Sequence, residues 1–145
     1  MGGSSVVYSN KYDLKEGGFL EIGVASTKIK RDLKTLGISS ALARRVAVVA
    51  YEAEMNVVIH AGGGELRIFV EPERIVVEAE DHGPGIANLE LAMQEGYSTA
   101  SDAVRELGFG AGMGLPNIKR NADKLEIDTE VGRGTLLRAV FFMEG

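Results

Sequence analysis

One run of residues limits the folds open to this chain. Ile75-Val76-Val77-Glu78-Ala79 is followed by Glu80-Asp81-His82-Gly83-Pro84-Gly85-Ile86. Successive β-branched residues specify a strand. The strand then meets a carboxylate, two glycines and a proline, which end regular structure. A carboxylate beside backbone without side chains is an acceptor that a ligand can approach closely. The stretch is read as a strand whose end faces a binding site, with a nucleotide base as the ligand to test.

The flanking patterns supply a scaffold for that strand. Val6 to Leu14 reads as a weak strand, Gly17-Gly18 as a turn, and Phe19 to Val24 as a second strand or the lead into a helix. A helix is predicted from Ala25 to Leu36, with Ile29, Leu33 and Leu36 on one side and Gly37 as its stop. Ser39 or Ser40 caps a second helix that runs to Ala61 and buries Leu42, Val46, Val49, Ala50, Ala53 and Val57. Gly62-Gly63-Gly64 ends it. Leu66 to Glu71 alternates apolar and polar, Pro72-Glu73-Arg74 turns, and Ile75 to Ala79 returns as a hairpin.

Beyond the opening stretch, Asn88 to Glu95 is a short helix candidate, and Gly96 to Leu107 is polar without a clear period. Gly108 to Gly114 is a glycine-rich loop before a helix from Leu115 to Lys124, with Pro116 suited to its first turn. Leu125 to Glu130 and Thr135 to Phe142 form a last hairpin around Gly132-Arg133-Gly134. Helices combined with antiparallel hairpins predict an α+β fold. Its form is a two-layer sandwich, with helices on one face of a mixed, mostly antiparallel sheet. Residues 1–145 are read as one domain, with residues 1–5 loose.

Composition narrows the function. The net charge of −5 opposes a general nucleic-acid or anionic-membrane binder, since both need a basic surface. The absence of cysteine removes disulfides, thiolate nucleophiles and Cys-type zinc sites. The apolar stretch from Val46 to Ala61 is broken by Glu52, Glu54 and Asn56, so no membrane span is expected. The N-terminus has no signal-peptide pattern, and Val6 stands where a myristoylation motif needs Ser or Thr. A cytoplasmic protein is expected.

Four stretches carry candidate chemistry. Glu52 and Asn56 lie four apart on the second helix and share a face, which His60 extends. Such a row is either a solvated stripe or a base beside a metal ligand, because Asn offers Mg²⁺ a hard oxygen. Neither His60 nor His82 belongs to a zinc pattern. Gly108-Phe109-Gly110-Ala111-Gly112-Met113-Gly114 matches neither a Rossmann nor a Walker A loop. It shares their logic, since bare backbone and a helix start attract phosphate. Gly132-Arg133-Gly134-Thr135 by itself is a hairpin turn, and Tyr97-Ser98-Thr99 a polar loop.

In this order, the stretches resemble the GHKL, or Bergerat-fold, ATPase superfamily. Glu52-x-x-x-Asn56 matches its N box, and Asp81-x-Gly83-x-Gly85 its first glycine box. Gly108-x-Gly110-x-Gly112-x-Gly114-Leu115 matches the second, and Gly132-x-Gly134-Thr135 the last. The chain is similar to the stand-alone bacterial serine-protein kinases of the anti-sigma and switch group. Three pieces carry this: His60-Ala61-Gly62-Gly63-Gly64, Gln94-Glu95-Gly96-Tyr97-Ser98-Thr99 and Gly112-Met113-Gly114-Leu115-Pro116-Asn117-Ile118-Lys119-Arg120. No phosphoacceptor helix hairpin precedes them, so a complete histidine kinase is not expected. Ser101 to Leu107 departs from the group as a longer, more charged lid.

The resemblance implies ATP and Mg²⁺ as cofactors. It implies that Asp81 accepts from the adenine amino group, with Gly83 and Gly85 leaving room for the ring and Thr135 closing the pocket. It implies Asn56 as the Mg²⁺ ligand and Glu52 as the base or hydroxyl-positioning group toward a partner's Ser or Thr. Gly108, Gly110, Gly112, Gly114 and Leu115 would border the phosphates. Lys28 or Lys30 would neutralise γ-phosphate charge, and Lys30 joins Glu52 as a candidate catalytic residue. The implied partner is a STAS-domain anti-sigma-antagonist protein. A sigma factor, a phosphatase and a second copy of the chain are further partner classes.

Overall fold

The computed structural model describes residues 6–15, 17–83, 85, 93 and 114–143, with backbone alone at Phe19 and His60. Its elements are β1 (Tyr8–Lys15), a 3-10 turn (Phe19–Glu21), α1 (Val24–Thr35), α2 (Ser40–His60), β2 (Gly63–Val70) and β3 (Arg74–Asp81). They continue with α3 (Gly114–Asn121), β4 (Lys124–Glu130) and β5 (Gly134–Phe142). The strands form one sheet in the order β1-β2-β3-β5-β4, and every neighbouring pair is antiparallel. α1 and α3 both pack on α2, and α2 packs on the sheet. This is the α+β two-layer arrangement that the sequence pattern predicts.

Period-two alternation decides which sheet face the helices cover. Leu66, Ile68 and Val70 of β2, Ile75, Val77 and Ala79 of β3, and Leu137, Ala139 and Phe141 of β5 are buried in one cluster with the helices. The intervening side chains Arg67, Glu78, Arg138 and Glu126 stand in one register row on the opposite face. There Arg67 bonds Glu78 at 3.1 Å, and Arg138 bonds Glu126 at 3.2 Å. On α2 the six residues expected to be buried, from Leu42 to Val57, are all in the core. Each fully buried aliphatic side chain contributes about 1.5–3 kcal/mol.

The helix ends follow from local chemistry. Ser39 accepts from the Leu42 N–H at 3.2 Å and is the cap of α2. Gly37 takes φ +87°, which lets its N–H reach Lys34 O and the Ile38 N–H reach Leu33 O. These paired bonds close α1 in a Schellman turn. Leu36 therefore sits at the C-cap and is exposed, not on the buried side with Ile29 and Leu33.

Of the two readings of Phe19 to Val24 the lead into a helix holds, since Phe19–Glu21 is a 3-10 turn just before α1. Other boundaries differ from expectation. β3 continues two residues past Ala79, because Glu80 and Asp81 still pair with Glu65 and Gly64 on one side and with Leu136 and Thr135 on the other. α3 stops at Asn121, short of Lys124, because the Asp123 N–H turns to Val140 O and Lys124 opens β4. The helix expected at Asn88–Glu95 and the polar stretch Gly96–Leu107 lie outside the described residues, apart from Met93.

Candidate functional site

The extension of β3 places Asp81. Alternation puts Ile75, Val77, Ala79 and Asp81 on the helix-covered face, so a carboxylate ends a row of core residues, and Asp81 is 8% exposed. Its Oδ1 accepts from the Gly83 N–H at 2.9 Å, which fixes the turn and the rotamer together. Among the described residues Oδ2 has no partner. One oxygen is spent on structure and one is left for a ligand.

Register builds a floor around this oxygen. Gly64, Asp81, Thr135 and Thr129 are successive partners across β2, β3, β5 and β4. The Thr129 and Thr135 hydroxyls lie 2.8 Å apart. The glycines are needed for close backbone approach. A Cβ on Gly64 would run into Glu80 O, one on Gly85 into Glu130 O, and one on Gly134 into Asp81 O. Gly85 and Gly134 also hold φ of +76° and +119°, a region that side chains disfavour. Gly83 packs on the end of α2, where a Cβ would lie 2.8 Å from the Ala61 Cα.

The second half of the site lies between α2 and α3. Glu52 is 9% exposed, and its Oε2 accepts from Asn117 Nδ2 at 2.9 Å. One turn on, Asn56 meets the start of α3, and a Cβ on Gly114 would stand 2.9 Å from Asn56 Oδ1. Seven residues before Glu52, Arg45 Nε donates to Asn121 O at 3.0 Å, and its guanidinium also binds Asp123. The contacts Arg45–Asn121, Glu52–Asn117 and Asn56–Gly114 run in opposite directions along the two chains, so α2 and α3 are antiparallel. The C-terminal half of α2 thus lies beside the N-terminus of α3, where backbone N–H groups and the helix dipole favour an anion. Leu115 is buried and anchors that turn in the core.

The donor set fits a nucleotide. A free carboxylate oxygen at Asp81 can accept from an amino group. The Asn56 carboxamide offers a hard oxygen of the kind Mg²⁺ takes, with few other protein ligands. Lys28 and Lys30 lie on α1, the first exposed and the second half-buried, and neither has a hydrogen-bond or ion-pair partner among the described residues. No hydrogen bond or ion pair among the described residues links either to Glu52 or Asn56. Gly108, Gly110 and Gly112, the lid at Ser101–Leu107 and Tyr97-Ser98-Thr99 lie outside the described residues, as does the side chain of His60.

The model of the histidine kinase-like ATPase domain matches residues 23–141. The chain belongs to this family. RsbT of Bacillus subtilis, named a serine/threonine-protein kinase, is 30% identical over 122 residues that cover 81% of this chain and 86% of RsbT. An anti-sigma F factor of Caldanaerobacter subterraneus is 36% identical over 60% of this chain and 61% of its own length. Within the family, the chain therefore sides with the serine/threonine kinases and anti-sigma factors. Solved structures show the same fold. A chain of the SiaB–SiaC complex from Pseudomonas aeruginosa matches with a TM-score of 0.56 and 18% identity over 94% of this chain and 89% of that one. A mycobacterial sensor histidine kinase, MprB, matches with a TM-score of 0.55 and 15% identity over 94% of this chain and 99% of its own.

Several residues of this family member's site escape motif reading. Asn117 stands within a stretch quoted for the resemblance, yet nothing in its spacing assigns it a contact with Glu52. Thr129 is legible only through hairpin register, since a turn at 131–133 places it opposite Thr135. Glu54 looks like a charge interrupting an apolar helix, yet it is 3% exposed. Burial pushes its pKa up, against the backbone N–H groups of Gly23, Ala25 and Ser26 at the start of α1, which pull it down. Among the described residues its Oε1 has no hydrogen-bond partner.

Proposed function

We propose that this protein is a Mg²⁺- and ATP-dependent serine/threonine kinase that phosphorylates a STAS-domain regulatory partner in the cytoplasm. The observation that carries this reading is the meeting of Glu52 and Asn56 with the start of α3, where Gly114 lies against the Asn56 amide. A base, a metal ligand and an anion-binding helix start then share one cleft face. The likeness to a relative named as a serine/threonine-protein kinase supports the same activity.

In this reading Asp81 Oδ2 accepts from the adenine 6-amino group, over the bare backbone of Gly83 and Gly85. Guanine offers an oxygen at that position, which a carboxylate repels, so ATP is preferred over GTP. Thr135 closes the pocket from β5. The phosphates lie along Gly108, Gly110, Gly112 and Gly114 toward the N-terminus of α3 and Leu115. Asn56 holds Mg²⁺, whose charge would offset that of the phosphates. Lys28 or Lys30 supplies further positive charge, as phosphoryl transfer requires. Glu52 would take the proton of the incoming Ser or Thr hydroxyl while the hydroxyl oxygen bonds to the γ-phosphorus, the bond from that phosphorus to the bridging oxygen breaks, and ADP leaves.

The test is incubation with γ-labelled ATP, Mg²⁺ and each STAS protein of the source genome. One STAS protein is expected to be labelled on Ser or Thr. Glu52→Ala is expected to lower transfer by about 10²–10⁴-fold, the usual contribution of a general base, without loss of ATP binding. Labelling of none, despite ATP binding, would overturn the kinase assignment.

A second reading, as an anti-sigma factor that sequesters a sigma factor, is favoured by the matches to anti-sigma F factors. Capture of a sigma subunit, released on adding the STAS protein, would support it. A homodimer or a phosphatase partner is compatible with either reading, and sedimentation at several concentrations tests the first of these.

A further inference from the structure

We infer that Asn117 is the positioning residue for Glu52, and that it selects which carboxylate oxygen faces the substrate; this rests on the reading of Glu52 as the base. Glu52 Oε2 is held by Asn117 Nδ2 at 2.9 Å, and among the described residues Oε1 has no partner. The other end of the same amide is held too, because Asn117 Oδ1 accepts from the Arg120 guanidinium at 2.6 Å.

The chemistry restricts the residue type. A carboxylate only accepts and a guanidinium only donates. A side chain between them must donate on one side and accept on the other, as amides, hydroxyls and a neutral imidazole can. The Asn117 amide does both here. The two neighbours also settle the orientation of the amide, since a flipped Asn117 would set oxygen against oxygen at Glu52. Asp in its place would keep the shape, lose the donor and put a second negative charge beside Glu52. The backbone is pinned as well, because Asn121 Nδ2 donates to Asn117 O at 2.9 Å.

Asn117 therefore acts at a distance of three residues from Gly114, the last glycine of the phosphate box. The two contacts of α3 with the site residues of α2, Gly114 on Asn56 and Asn117 on Glu52, move together if this short helix moves. The end of the phosphate box and the base are thereby mechanically joined. A nucleotide that settles the start of α3 also settles the orientation of Glu52.

The experiment compares wild type, Asn117→Asp, Asn117→Ala and Glu52→Ala in the full chain. Transfer from γ-labelled ATP with Mg²⁺ is measured to the STAS protein that wild type labels best. Asn117→Asp is expected to lower kcat by ten- to a hundred-fold and Asn117→Ala by less. The ATP dissociation constant and the KM for ATP are expected to stay within twofold of wild type. A fall in ATP affinity that matches the fall in rate would show a merely structural role and overturn the inference.

Wild-type rates in both Asn117 variants beside a silent Glu52→Ala would remove this inference and leave the base reading intact. A wild-type rate in Glu52→Ala would remove both. Independently of any acceptor protein, the Asn117 side-chain amide resonance is expected to shift in Glu52→Gln. An unshifted resonance would also overturn the inference.

Discussion

The two halves of the site are built by different means. At the sheet end, strand register sets Gly64, Asp81 and Thr135 side by side, and each glycine there abuts a backbone carbonyl. At the helix end, Glu52, Asn56 and Asn117 are placed by side chains meeting across two antiparallel helices. A carbonyl in a ladder cannot retreat without breaking its hydrogen bonds, whereas a side-chain amide can rotate. Damage at the sheet end is therefore expected to unfold the protein, and damage at the helix end to misalign it. The half that would read adenine is rigid by construction. The half that would carry out chemistry is adjustable.

The sharpest way to break that contrast is Gly134→Ala. The new methyl group meets Asp81 O and lies 2.8 Å from the His82 Cα, at a φ of +119°. Strain at such a position and overpacking each cost roughly 1–3 kcal/mol, so a loss of about 3 kcal/mol or more is expected in urea unfolding. A loss below about 1 kcal/mol would show that the turn relaxes freely, and the sheet end would not be rigid in the sense argued.

Asp81→Asn probes the same end without disturbing its backbone. Asn keeps an acceptor for the Gly83 N–H, so stability is expected to hold. At the free position, however, an amide N–H would face a donor in place of a carboxylate oxygen. ATP affinity is expected to fall by about ten- to a hundred-fold, the worth of a charge-assisted hydrogen bond of roughly 1.5–3 kcal/mol. Unchanged affinity by calorimetry would remove the adenine assignment.

Gly114→Ala makes the matching change at the helix end. Its Cβ would press on the Asn56 amide at 2.9 Å and 3.2 Å and on no backbone. Ala favours a helix over Gly by about 1 kcal/mol, so stability is expected to be unchanged or slightly higher. Asn56 must shift instead, and Mg²⁺-dependent ATP binding is expected to weaken by about tenfold, the scale of a modest misplacement at a reacting centre. Unfolding by this variant would erase the difference between the two ends.

The contrast also explains what the sequence made legible. Glycine boxes mark where backbone comes close, and the resemblance groups Asp81, Gly83, Gly85 and Thr135 around one pocket, whereas Gly132-Arg133-Gly134-Thr135 by itself reads only as a hairpin turn. Alternation along β3 carries Asp81 to the core face, once the strand is known to continue through Glu80. The helix end is less legible. The four-residue spacing puts Glu52 and Asn56 on one face, but their partners lie more than fifty residues away on α3. No local pattern predicts that Asn117, and not a neighbouring turn, will reach Glu52. Tertiary packing of α3 decides it, aided by Arg45, which holds the last residue of the helix through Asn121 O.

Glu54 offers the smallest effect and tests whether the base of α2 is shared between the two ends. It stands between Glu52 and Asn56 in sequence but is turned to the start of α1, where Gly23 provides no side-chain cap. Burial with an unpartnered Oε1 holds its pKa above the ordinary glutamate value near 4.5, despite the favourable helix N-terminus. With the folded value raised, the native state binds more protons than the unfolded chain over that window. Stability contributed by protonated Glu54 is therefore present below the ordinary value and lost as pH rises through the raised one. Glu54→Gln has no such titration. The stability of wild type relative to Glu54→Gln is expected to decline as pH climbs from below 4.5 toward neutrality. A difference that stays flat with pH in denaturant melts would show that Glu54 titrates alike in both states. Affinity for ATP is expected to stay constant in this variant, because Glu54 faces α1 and neither the Asn117 contact nor the Gly114 contact depends on it.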